Sequence, residues 1–145
     1  HNRTHSFPTR RSSDLIGLHA LVTLALYVPM SRGRVRAVKD GKAKASDFKL
    51  LTREPDESKV FVNAIRNQNE TAAIFYAACL TAFVTNGASY LIAVLAWLFL
   101  VLKIAHVLVH TGSNSLRIRR PVFMAAYAVL ILLWLVVLAH LAGLA

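Results

Sequence analysis

The sequence predicts an all-α, integral-membrane four-helix bundle, and three observations carry the prediction. The chain of 145 residues is 56% hydrophobic, with a mean hydropathy of +0.50. It holds four apolar stretches near the length of about 20 residues that crosses a hydrocarbon core as a helix. Its cations gather between those stretches rather than within them. A formal net charge of +10 on so apolar a chain does not describe a soluble basic domain. Aromatic residues do not interleave with the basic runs, so the charge reads as loops facing an anionic membrane surface and no nucleic-acid partner is expected.

The chain opens HNRTHSFPTRRSSDL and passes at once into the apolar run LIGLHALVTLALYVPM. A signal peptide would leave a small-residue cleavage site after such a run, and SRGRVRAVK follows instead. HSFPTRRSSDL, residues 5–15, resembles the conceptual translation of a short-read sequencing adapter. Residues 1–15 are therefore expected to be non-native and disordered, and residues 16–145 to form a single four-span domain. Without Arg3, Arg10, Arg11 and Asp14 the formal charge falls from +10 to +8, which is still basic.

The spans are expected at about 15–31, 60–84, 88–110 and 121–144. TNGAS between the second and third is a tight turn, with Gly87 free to take a positive φ, so those two helices are antiparallel neighbours. The connection at about 38–58 is a loop rather than a domain. Lys and Arg crowd residues 32–59, Arg117, Arg119 and Arg120 precede the fourth span, and the 85–89 turn has neither. The positive-inside bias then places both basic loops in the cytoplasm and both termini outside. Cys79 is the only cysteine; it lies in an apolar stretch and reads as a small core residue.

Polar residues inside the spans are the functional signal. VNAIRNQNETAAIFY opens the second span with Asn63, Arg66, Asn67 and Glu70 at i, i+3, i+4 and i+7, one helical face. In the third, Lys103, His106 and His110 share a face at i, i+3 and i+7. Glu70 lies sixteen residues from Asn86, or about 24 Å; Lys103 and His106 lie about 22 and 27 Å from Ala88. The two polar faces therefore meet at one height, near Arg119 and Arg120 at the start of the fourth helix and Arg36 at the end of the first. A carboxylate at that depth is costly unless paired, which makes Glu70 a functional candidate. Lys103 could equally snorkel to the interface, and His19 and His140 read as interfacial filler near the opposite face. A metal is not expected: Glu70 could serve His106 and His110 as a third ligand, but the surrounding cations Arg66, Lys103 and Arg119 would repel the ion. Guanidinium and ammonium groups with one carboxylate and two amides suit a small zwitterion of net negative charge, with apolar walls for a lipophilic second substrate.

RVRAVK after the first span, AIRNQNE in the second and KIAHVLVHTGSNSLRIRR across the third loop, set in four spans, resemble the membrane-associated proteins in eicosanoid and glutathione metabolism, the MAPEG family. The resemblance covers about residues 18–141. It implies a homotrimer that binds glutathione as co-substrate between subunits near the cytoplasmic face. It further implies that Arg66, Asn67 and Glu70 hold the tripeptide, with His106, His110 and Arg36 as further contacts. Arg119 would correspond to the arginine that stabilises the thiolate, with Arg120 as the other candidate for that catalytic role; Asn63 and Lys103 are additional candidates. The pattern departs from the eicosanoid enzymes at His110, where they have a tyrosine, and at Asn63, where some have an arginine. The expected function is a membrane-bound glutathione transferase or peroxidase acting on small lipophilic electrophiles. The alternative is a non-catalytic membrane protein that binds a small anion or a partner through the same pocket.

Overall fold

The computed structural model describes residues 7–49, 53–87 and 89–144, with side chains of the first helix described from Asp14 onward. Residues 1–6, part of the stretch expected to be non-native, and Ala88, expected to open the third span, lie outside the described residues.

The first rod is two helices, α1 (Phe7–Ala25) and α2 (Tyr27–Lys39), which meet at Leu26. Pro29 causes the break: it has no N–H for the carbonyl of Ala25, and its ring crowds that carbonyl. The chain tightens there, the Leu26 N–H donating to the Thr23 carbonyl at 3.2 Å, before the Met30 N–H restores the α pattern on the Leu26 carbonyl. The rod runs past the expected end near residue 31 because nothing in RGRVRAVK stops it. Gly41, at φ +69, ends it, and the Lys42 N–H returns to the Ala37 carbonyl at 2.9 Å, closing a left-handed C-terminal cap.

A 3₁₀ turn at Ala45–Phe48 leads to α3 (Asp56–Val84), α4 (Tyr90–Thr111) and α5 (Leu116–Leu141). α5 starts five residues before the expected Pro121. Its first turn closes with the Arg119 N–H on the Ser115 carbonyl at 2.8 Å, so Arg117 is helical together with Arg119 and Arg120. In the α3–α4 turn it is Asn86, at φ +53, that takes the left-handed conformation expected of Gly87; asparagine tolerates it better than most residues. Gly87 is needed for a different reason. The His140 ring packs so closely over it that a Cβ would lie 2.2 Å from a ring carbon, and His140 Nε2 lies 3.4 Å from the Thr85 carbonyl. His140 therefore packs the end of α5 against this turn.

Among the described residues, three segments are long and apolar enough to cross a membrane by length and composition: Asp14–Lys39, α4 and α5. The remaining helix of the bundle, α3, has the length to cross as well, and is less apolar than the others because it carries RNQNE. Only part of that polar stretch is covered by the other helices: Gln68 and Thr71 are buried, whereas Asn63, Arg66, Asn69 and Glu70 are exposed. Residues 64, 68, 71, 75, 78 and 82 are all buried, a four–three spacing that marks a coiled-coil-like seam. Small residues on that seam and opposite it, Ala78, Ala82, Ala96 and Ala126, let the helices approach closely and gain dispersion contacts, the main attraction left in lipid. Phe75 and Phe99 fill the centre with ring centroids 4.5 Å apart, and Cys79 is buried beside them. Leu21, Leu24, Val94, Leu98, Ile131 and Leu135 are exposed and form part of the outward apolar surface.

A polar clasp fixes α2 to the start of α3. Arg34 donates to Glu54 through Nε at 2.9 Å and Nη2 at 2.6 Å, Ser58 Oγ donates to the same carboxylate at 2.5 Å, and Arg34 lies over the Phe48 ring at 5.2 Å. Burial alone would raise the Glu54 pKa; the hydrogen bonds from Arg34 and Ser58 and the Arg34 charge outweigh it, holding the carboxyl below its ordinary value of 4.5. A carboxylate lowered in the folded state stabilises the fold above its unfolded pKa, and the contribution is lost as pH falls through the lower folded value. The melting temperature of the detergent-solubilised protein is accordingly expected to fall below about pH 4.5, with that part of the pH dependence absent in Glu54→Gln.

Candidate functional site

Where α4 gives way to α5, a cavity of about 650 Å³ opens among Asn67, His106, Leu116, Arg117, Arg119, Arg120, Pro121 and Phe123. Each wall has a sequence cause. α4 ends at Gly112, and Asn114, at φ +49, reverses the chain within four residues. α5 then begins with LRIRRP, whose arginines crowd a helix N-terminus already carrying partial positive charge. Three like charges there are unfavourable by themselves and favour a bound anion. Arg119 is oriented by its Nη1–H, which donates to Asn114 Oδ1 at 2.9 Å. Leu116, Pro121 and Phe123 give the cavity an apolar side. Phe123 lies between His106, at 5.3 Å, and Tyr127, at 4.7 Å, centroid to centroid, its ring tilted against both.

Of the expected site residues, Asn67, His106, Arg119 and Arg120 line this cavity, as does Arg117. His110 is buried just behind it, its ring 5.6 Å from that of His106 and its Nδ1 3.4 Å from the Asn67 amide. Lys103 is 1% exposed and does not snorkel: its ammonium turns inward and donates to the Asn67 carbonyl at 2.7 Å. The others stand apart. Asn63, Arg66 and Glu70 are exposed on α3, and Arg66 Nε pairs with Glu70 Oε1 at 3.5 Å. Arg36 is exposed on the outer face of α2, in a shallow depression with Arg32 and Lys39. The polar stripe of α3 is thus divided, Asn67 turned into the cavity and its companions facing out.

The sequence reading missed Gln68 and misjudged His19. Both are fully buried. His19 sits between Tyr76 Oη, 2.9 Å from Nδ1, and Gln68 Oε1, 3.1 Å from Nε2, while Gln68 Nε2 donates to the Lys103 carbonyl at 3.3 Å. One arrangement of protons satisfies the whole line: Tyr76 O–H to Nδ1, Nε2–H to the amide oxygen, amide N–H to the carbonyl. The available signal was the four–three seam of α3, on which position 68 is an inward position occupied by an amide. Among the described residues no group of three or more His, Cys, Asp or Glu side chains is placed to hold a metal.

A helical bundle with three segments long and apolar enough to cross a membrane, and a cationic, half-apolar cavity at one end, defines a helical membrane protein. Residues 15–139 match the MAPEG family profile, and the chain belongs to that family. No curated protein and no solved structure matches the chain. The family includes glutathione transferases and peroxidases as well as members without catalytic activity, and its members generally use glutathione.

Proposed function

We propose that this protein is a membrane-bound glutathione-dependent transferase or peroxidase acting on small lipophilic electrophiles. The observation that carries the proposal is the cavity in which Arg117, Arg119 and Arg120 face His106 and Asn67 across an apolar wall of Leu116, Pro121 and Phe123. Its volume falls in the range of small-molecule sites, about 300–1,000 Å³. Its charge suits the two carboxylates of glutathione, and the apolar wall suits the second substrate. Asn67, His106 and His110 hold the tripeptide from inside, with Arg66 and Glu70 at its edge. In a homotrimer, Arg36 of the partner subunit reaches the same ligand, which accounts for its exposure in one protomer. Arg119 stabilises the sulfur as thiolate, because a nearby guanidinium favours the charged form and so generates the nucleophile at neutral pH. The thiolate then attacks an electrophilic carbon or reduces a hydroperoxide. Both basic regions face the cytoplasm in this reading, and both termini face outward.

The second reading, a non-catalytic binder of a small anion, draws on the Arg66–Glu70 pair, in which the carboxylate has a cationic neighbour without a ligand. Ultraviolet difference spectra on adding glutathione separate the two. A saturable thiolate band is expected for the enzyme; saturable binding without that band removes the thiolate step and leaves the binder.

A further inference from the structure

Residues 67 and 68 of α3 are joined to residue 103 of α4 in both directions: the Lys103 ammonium donates to the Asn67 carbonyl, and the Gln68 amide donates to the Lys103 carbonyl. A lysine aimed into a membrane bundle at a main-chain carbonyl is an expensive arrangement, since a buried cation loses its hydration and one carbonyl replaces little of it. Among the described residues, that carbonyl is the only hydrogen-bond partner of the ammonium. His19 braces the other side of Gln68, so three helices meet on one amide. The next polar contact outward from this junction is the Asn67 amide at His110 Nδ1, and Asn67 lines the cavity.

We infer that Lys103 and Gln68 are positioning residues that set the rotation and height of α3 at Asn67, so that its amide meets His110 at the cavity wall. Neither residue lines the cavity, so their action on it passes through Asn67. Two bonds running in opposite senses resist both sliding and rotation of α3 against α4, which a single bond does not. The inference rests on the glutathione reading only for its consequence in binding.

The test uses full-length protein in detergent with ¹⁵N-labelled histidine, the His110 resonance being assigned by its loss in His110→Gln. Lys103→Met is expected to shift that resonance in the otherwise unaltered protein and to leave it in place in an Asn67→Ala background. Lys103→Arg keeps N–H donors and is expected to keep the resonance near its original position. Equal shifts with and without Asn67 overturn the inference, because the lysine then acts on His110 directly through its charge. If Lys103→Met does not fold, Gln68→Leu removes the other half of the junction and is read in the same way. A glutathione titration is the second arm: the Kd is expected to rise about tenfold or more in Lys103→Met, with no further rise when Asn67→Ala is already present. If the unaltered protein takes up no glutathione while the resonance coupling holds, the glutathione reading fails and the positioning role stands. If glutathione binds the Lys103→Met and unaltered proteins equally, the positioning role in binding is overturned and the glutathione reading stands.

Discussion

Arg119→Ala is expected to lower glutathione turnover roughly 100-fold or more while changing the Kd for glutathione little. The asymmetry follows from where the charge acts. A guanidinium beside the sulfur stabilises the thiolate, which develops at the reactive atom, whereas the carboxylates that give most of the binding are held by other groups. Without it the thiol returns toward its ordinary pKa of about 8.5 and only a few per cent is ionised at neutral pH. Arg119 is suited to this because its guanidinium lines the cavity and is held by Asn114 Oδ1 at 2.9 Å. Arg120 lines the same cavity. Turnover that survives Arg119→Ala and collapses in Arg120→Ala would transfer the role to Arg120; turnover that survives both would remove the arginine–thiolate step.

Gly33→Val is expected to cost about 1–3 kcal/mol of stability, with Gly17→Val on the same rod nearly neutral. A Cβ at Gly33 would lie 2.8 Å from the Glu57 carbonyl oxygen and 3.1 Å from its carbon, both backbone atoms of the first turn of α3. Backbone held in a helix cannot swing aside as a side chain does. α2 must back away from α3, which also stretches the Arg34–Glu54–Ser58 clasp beside it. At Gly17 an added Cβ meets nothing within 4 Å. Thermal unfolding of the two variants in one detergent checks the contrast; equal melting temperatures would mean that the α2–α3 approach is looser than described.

What could be read from the sequence follows the physics of each element. α4 and α5 announce themselves by composition, because a lipid-facing helix is apolar nearly all round. The length of the first rod was underestimated because hydropathy ends near Met30, whereas helical hydrogen bonding continues through RGRVRAVK to the cap at Gly41. At the site, LRIRRP and the pair His106 and His110 were legible as charge and spacing. The division of the α3 stripe was not, since i, i+3, i+4, i+7 spacing places residues on a face without saying how wide its buried part is. Asn67 lies at the inner edge of that face and Arg66 beyond it. Gln68 and His19 escaped for a related reason: a lone amide and a lone histidine in apolar stretches carry no pattern until the helices that bring them together are in place.

Thermal unfolding of the detergent-purified protein across a glutathione titration tests the central claim most directly. A ligand that binds only the folded state stabilises it by RT ln(1 + [L]/Kd), about 2.7 kcal/mol at a hundredfold excess over Kd. The expected result is a saturable rise in melting temperature that is reduced in Asn67→Ala, whose residue lines the cavity. No rise at millimolar glutathione would contradict the account and leave a MAPEG-family membrane bundle whose cavity serves another anion.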